Sequence, residues 1–346
     1  MRALTIDANG GLEQLRWRDD VPVPQLADPG DVRVRLRAAA LNHIDLWTVR
    51  GAPGVRISPG WVLGSDGTGL VDQVGESVSH VRPGDTVMIN PGVSCGTCEY
   101  CLAGEQPLCL RFAVLGEHRH GTLAEFVVLP GRNVRPIPAA SDPDAAAAYP
   151  LATLTAWRMC VSRAGVTRDD QVLIWGIGGG VAQAALRICL QRGAHTWVTS
   201  GSDEKLGRAL ALGAHETLRH GTGVDIGREI RSRTGRRGVD VVVDSVGSAT
   251  WAQSLGALGR RGRLVTCGGT SGHLVETDVR RLFWNQWTLM GSTMGSDAEF
   301  DAVVGEFVAG RLGATIDSVY PFERAVEALA RLESGAQFGK VVVRIN

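Results

Sequence analysis

The chain has almost no lysine. Lys205 and Lys340 are the only two among 346 residues, so arginine carries nearly all the positive charge. Neither sign is in excess, because 36 Lys and Arg stand against 36 Asp and Glu. That balance excludes the basic surface with which nucleic-acid binders and proteins held on anionic lipid attract their partners. No apolar run is long enough to span a bilayer. The longest, residues 145–157, is interrupted by Pro150. The first residues, Met1-Arg2-Ala3-Leu4, open no hydrophobic segment of the secretory kind, which predicts a cytoplasmic protein. Thiols stay reduced there, so grouped cysteines point to a metal rather than to disulfides.

What is present describes a globular chain. A hydrophobic share of 44% with 21% charged residues is enough to build cores. The length suits about two domains of roughly 100–200 residues each. Glycine is abundant, at 45 residues, without a collagen period; it marks turns and close backbone approaches.

The pattern changes along the chain. Residues 31–37 alternate apolar and polar with period two, and residues 69–75, 85–89 and 126–129 are further short strands. Ser141-Asp142-Pro143-Asp144 reads as a helix start. Beyond residue 170, strands alternate with helices. Strands are expected at 172–175, 196–199, 239–244, 262–266 and 288–291, and helices at 181–191, 205–212 and 251–258. Such alternation builds a doubly wound parallel sheet. A helix at 322–333 and a strand at 339–345 close the chain.

Two motifs carry chemistry. Gly176-Ile177-Gly178-Gly179-Gly180-Val181-Ala182 follows a strand and opens a helix. Glycines there let a pyrophosphate approach the backbone, and the helix N-terminus faces its charge. The following strand ends at Thr199-Ser200-Gly201-Ser202, without the carboxylate that would hold a ribose 2′-hydroxyl, and Lys205 lies just beyond. This favours NADP(H) over NAD(H). The second motif is Cys95, Cys98, Cys101 and Cys109. Four thiols at this spacing suit a closed tetrahedral, structural Zn²⁺. Cys160, Cys189 and Cys267 stand alone in apolar surroundings and read as fillers.

Taken together, these residues resemble the medium-chain dehydrogenase/reductases, which include zinc alcohol dehydrogenases and quinone oxidoreductases. The glycine turn, the cysteine run, Gly64-Ser65-Asp66-Gly67-Thr68-Gly69 and Phe338-Gly339-Lys340-Val341 all follow the family's pattern. The resemblance implies a GroES-like, β-rich catalytic domain from residues 1–148 and 294–346, enclosing a Rossmann domain at residues 149–293. It also implies a homodimer or homotetramer. The family's catalytic zinc ligands fall on Asn42, Ser65 and the neighbourhood of Leu151, none of which is a good ligand. Hydride transfer to a small, already electrophilic acceptor, a quinone or an α,β-unsaturated carbonyl, is the reaction expected. Alcohol oxidation through other metal ligands is the alternative, His118 or His120 with Asp45 and Asp66 being one such set, and non-enzymatic NADP(H) binding is a second.

The expected catalytic group is Asn42, as a neutral donor, with Asp45, Ser65, Asp66 and His118. The expected cofactor group is His43, Gly176, Gly178, Gly179, Gly180, Val181, Ser200 and Lys205, with the backbone near Val246 and Gly268. Trp47, Trp61, Phe283, Trp284 and Trp287 are aromatics suited to a ring-shaped substrate or to packing.

Overall fold

A computed structural model describes residues 1–51 and 54–345. The chain divides into two compact units, Met1–Ala152 with Gly295–Asn346, and Thr153–Met294. Among the described residues, no helix is long and apolar enough to cross a membrane.

The first unit is built on a seven-stranded sheet. Its strands run Val134–Pro136, Thr86–Ile89, Asp66–Val74, Asp31–Ala40, Lys340–Arg344 and Ile316–Pro321 in spatial order, and Phe126–Pro130 also pairs with Asp31–Ala40. The alternation at residues 31–37 does what period two requires: Val32, Val34 and Leu36 are buried, while Arg35 and Arg37 face out. The register slips between Leu36 and Ala38, after which Ala38, Ala39 and Ala40 are all buried. Their small side chains admit a close neighbour. Ala38 and Ala40 pack with Ala147, Ala148 and Val342.

The strand Lys340–Arg344 pairs antiparallel with this stretch, Val342 opposite Ala40. The end of the chain therefore lies beside residue 42, and the Leu41 N–H donates to the Val341 carbonyl at 2.9 Å. The start at Asp142 is as expected: its carboxylate accepts from the Asp144 N–H and caps the helix Pro143–Ala148. The helix Asp297–Val308, with a capping box at Ser296 and Glu299, and the strand Ile316–Pro321 were not legible in the sequence.

The second unit is a six-stranded sheet, parallel throughout. Its spatial order is Glu216–Arg219, His195–Ser200, Gln171–Ile174, Val239–Asp244, Leu258–Thr266 and Thr288–Gly291. In chain order that is 3-2-1-4-5-6, the doubly wound arrangement of the Rossmann fold. The third strand, Glu216–Arg219, escaped periodicity because it is short, polar and at the sheet edge. The expected helix at 251–258 begins earlier, at Ser248, and ends at Ala257. Leu173, Trp175, Trp197, Val242 and Leu264 form the core, with Trp287 among them.

Candidate functional site

The first unit holds two polar clusters. One is the cysteine lobe. Cys98 precedes the short helix Glu99–Leu102, and Cys109 follows the 3₁₀ turn Gln106–Leu108. All four Sγ atoms lie within 4.8 Å of one another. Cys98 and Cys101 are 3.5 Å apart, and Cys95 and Cys101 are 3.9 Å apart. A zinc tetrahedron with Zn–S bonds of about 2.3 Å has edges of about 3.8 Å, so the sulfurs fit the ion. Backbone N–H groups also point at sulfur: Cys95 and Arg111 donate to Cys109 Sγ, and Thr97 donates to Cys95 Sγ. The Thr97 bonds draw the Cys95 thiol down to about 4, whereas burial pushes Cys101 up to about 11. Four sulfurs this close can all act as thiolates only around a cation. Among the described residues this is the only group of three or more His, Cys, Asp or Glu side chains disposed to hold one. His118 and His120 do not join Asp45 and Asp66 in such a group.

The second cluster surrounds Asn42 and is made of oxygen and nitrogen. Asn42 precedes the helix His43–Arg50, and the Asp45 Oδ2 accepts its N–H at 2.8 Å. Asp66 opens its strand after a tightly pinned turn at Gly64. There φ is +97°, and an added Cβ would stand 2.7 Å from the Leu123 nitrogen, so only glycine fits. The Asp66 carboxylate is fully used. Its Oδ1 accepts the Leu151 N–H at 2.8 Å, and its Oδ2 accepts from Asn42 Nδ2 and from Lys340 Nζ, both at 2.9 Å. Lys340 also donates to Asn42 Oδ1. Asn42, Asp45, Ser65, Asp66 and Lys340 are all buried.

This changes the expected roles. Asn42 is not a free donor, because its amide hydrogens go to Asp66 and to the Ala40 carbonyl and its oxygen is held by Lys340. The Ser65 Oγ and the Asp45 Oδ1 are buried with no hydrogen-bond partner. Burial, helped by the Asp66 charge, raises the Asp45 carboxyl to about 7, against the Asn42 and Gly64 N–H groups and the Lys340 charge, which lower it. Lys340 was missed as a site residue. Its signal was compositional, a lone lysine in an arginine-rich chain, but no spacing links it to residue 42.

His118 does not join the cluster. Its side chain is 41% exposed, 3.3 Å from Glu117, and its Nδ1 accepts the Val114 N–H. His120 accepts the Val62 N–H and packs on Trp61, whose indole donates to the Gly116 carbonyl. His43 is exposed on the first turn of its helix. Trp47 is half-buried. Trp287 is core, whereas Phe283 and Trp284 are exposed.

In the second unit the glycine turn has the expected form. Gly176 has φ +69°, a left-handed conformation that side chains resist, and the Gly179 N–H donates back to its carbonyl at 3.0 Å. Gly178 sits half-buried in the turn. Gly179 precedes the helix Gly180–Gln191 without a side-chain cap. The amides of that first turn, Gly180 and Val181 included, thus have no capping side chain and can cradle a pyrophosphate. Val246 Cγ2 lies 3.8 Å from where a Gly176 Cβ would be.

The Val246 backbone is a correction. Its N–H donates to Asp244 and its carbonyl accepts from Ser271, so only the side chain is left to meet a cofactor. The Gly268 carbonyl accepts the Thr266 hydroxyl. Ser200 ends its strand, its Oγ accepting the Ser202 N–H. Ser202 in turn caps the helix Asp203–Ala211, accepting the Lys205 N–H. Arg219 faces Asp203 at 3.5 Å. Cys160 and Cys189 are buried fillers in mutual contact, their sulfurs 3.9 Å apart, and Cys267 is half-buried.

Residues 28–139 match the alcohol dehydrogenase GroES-like domain, and residues 180–309 match the zinc-binding dehydrogenase domain. An NAD-dependent alcohol dehydrogenase of Sulfolobus acidocaldarius is 31% identical over the whole of both chains. The chain is a medium-chain dehydrogenase/reductase. Relatives in the family carry different activities by name. The human quinone oxidoreductase is 26% identical, across 99% of this chain and 97% of its own. A solved structure of an NAD-dependent alcohol dehydrogenase is 44% identical, with full coverage of both chains and a TM-score of 0.94. The chain is thus an oxidoreductase of this family, with a zinc-binding pattern in its cysteine lobe.

Proposed function

We propose that this medium-chain dehydrogenase/reductase uses NADPH to reduce a quinone or an α,β-unsaturated carbonyl, with one structural zinc and no catalytic one. The observation that carries the reading is the Asn42 cluster. A catalytic zinc takes thiolate, imidazole or carboxylate ligands and keeps a position open. Here Asn42 and Ser65 supply neither thiolate nor imidazole, and the Asp66 carboxylate is bound to Lys340, Asn42 and the Leu151 amide. Without a Lewis acid, the acceptor must itself delocalise the charge that hydride brings. Zinc, held by Cys95, Cys98, Cys101 and Cys109, fastens the lobe and takes no part in the reaction.

The preference for NADPH is supported by Ser200 at the end of its strand, where no carboxylate stands, and by two cationic side chains nearby, Lys205 and Arg219. When bound, the nicotinamide supplies the hydride, and the glycine turn and helix Gly180–Gln191 hold its pyrophosphate. A homodimer or homotetramer belongs to the same proposal. It is supported by the exposed Val279, Phe283 and Trp284 on the helix Val279–Asn285, together with the edge strand Thr288–Gly291. The compartment proposed is the cytoplasm.

Steady-state oxidation of NADPH and NADH with quinones and enones, beside alcohol oxidation, tests the reading together with metal analysis. One zinc per chain and turnover of the conjugated acceptors support it. Two zincs per chain, with alcohols as the only substrates, overturn it and favour the second reading. That second reading is alcohol dehydrogenase activity, which the Sulfolobus relative's name favours. NADPH binding without turnover of any acceptor would leave a cofactor-binding protein.

A further inference from the structure

The Asn42 cluster sets one cation against two carboxyls. Lys340 has a side chain only 4% exposed, and Asp66 is wholly enclosed. A buried ammonium is tolerated only with close anionic and polar partners, and Lys340 has both, in Asp66 and Asn42. Asp66 spends both oxygens on fixed donors. Asp45 is different: its Oδ2 takes the Asn42 N–H, while its Oδ1 closes no hydrogen bond and only the Gly64 backbone N–H acts on the carboxyl besides. Charge balance then gives the single ammonium to Asp66 and leaves Asp45 uncompensated.

We propose that Lys340 is a positioning residue of the reaction, locking Asn42 to Asp66 and leaving Asp45 as the one carboxyl of the site that gains and loses a proton. This rests on the reductase reading above, in which each hydride delivered to an acceptor is matched by one proton taken up. The enone carbon gains the hydride, its carbonyl oxygen takes the electron pair, and a proton completes the saturated ketone. Asp45 titrates near 7, which agrees with the assignment. The other charged groups around it are few. Asp66 and Lys340 act on it from their two strands. Its own helix also carries His43, which feels the same Lys340 charge, and Arg50, which pairs with Glu333 of the helix Ala325–Glu333 at 2.6 Å.

The test compares Lys340→Met, Lys340→Arg and Asp45→Asn in the full-length protein. Asp carboxyl carbons are followed by ¹³C NMR against pH, with the Asp45 signal assigned by its loss in Asp45→Asn. The wild type should show one Asp signal titrating near neutral pH. Lys340→Met should move that midpoint upward and lower kcat by about 10–100-fold, the span of a mispositioned proton-transfer group, with less effect on KM. Lys340→Arg should restore most of both. An unchanged midpoint and a kcat within about twofold in Lys340→Met overturns the proposal, as does an Asp45 signal that never titrates above pH 5. Where Lys340→Met does not fold, the Asp45 signal in the wild type and in Lys340→Arg decides. The NMR readout needs no acceptor. Failure to turn over quinones and enones would sink the reductase reading and leave the proton assignment standing.

Discussion

The two polar clusters of the first unit answer the same electrostatic problem in opposite ways. The cysteine lobe gathers four soft sulfurs at spacings that match a zinc tetrahedron, and the Arg111 guanidinium acts on Cys95 without standing among the four. The Asn42 cluster gathers hard oxygens and supplies its own cation, the Lys340 ammonium. The lesson is that a group of potential ligands indicates a metal only after its internal hydrogen bonds are counted. The sulfurs receive weak N–H contacts that a metal would tolerate, whereas the Asp66 oxygens are already spent.

The difference can be broken most forcefully at the lobe. Cys109→Ser should release the metal and lower the melting temperature by on the order of 10 °C, because structural zinc contributes folding energy outright. Zinc analysis beside calorimetry checks it. A variant that keeps both its zinc and its melting temperature would mean three sulfurs suffice. A smaller effect is expected at the glycine turn, where neither cluster takes part. Gly176→Val forces a β-branched residue into φ +69°. At about 1–2 kcal/mol of backbone strain, the dissociation constant for NADPH should rise by about tenfold, measured by fluorescence titration. Unaltered affinity would show that the turn does not hold the cofactor.

The comparison is sharpened by pH. The Asp45 carboxyl lies above its unfolded value, so the folded state binds the extra proton. Its contribution to stability is greatest below about pH 4 and is lost as pH rises towards 7. Asp45→Asn should remove that decline, so the difference in melting temperature between variant and wild type should widen from pH 4 to pH 7. A difference independent of pH would place the carboxyl in an ordinary environment. The smallest effect is expected at His118, which is exposed. His118→Ala should change kcat/KM by less than about threefold. A tenfold loss would return it to the catalytic group.

Legibility in the sequence followed chain distance. The cysteines lie within 15 residues of one another, and the glycine turn within seven, so both could be read as motifs. The strand at 239–244 was legible because Val239 and the consecutive Val241, Val242 and Val243 make a buried β-branched run, while Glu216–Arg219 was hidden by its polar, edge-strand composition. Asn42 and Lys340 are 298 positions apart. Only the pairing of Lys340–Arg344 with Asp31–Ala40 brings them together, and no local pattern encodes it. The same limit explains Val246: its position after a strand was readable, but the Asp244 and Ser271 bonds that occupy its backbone were not.

The burial of Lys340 has a practical consequence for the chemistry of the protein surface. Of the two lysine side chains, one is sealed against Asp66, and Lys205 is half-exposed. Arginine does not react with acylating reagents under mild conditions, so Lys205 is the more accessible of the two ε-amines for such labels. A dye or tether attached through that amine would sit just past the end of the strand His195–Ser200. It would report on the dinucleotide unit.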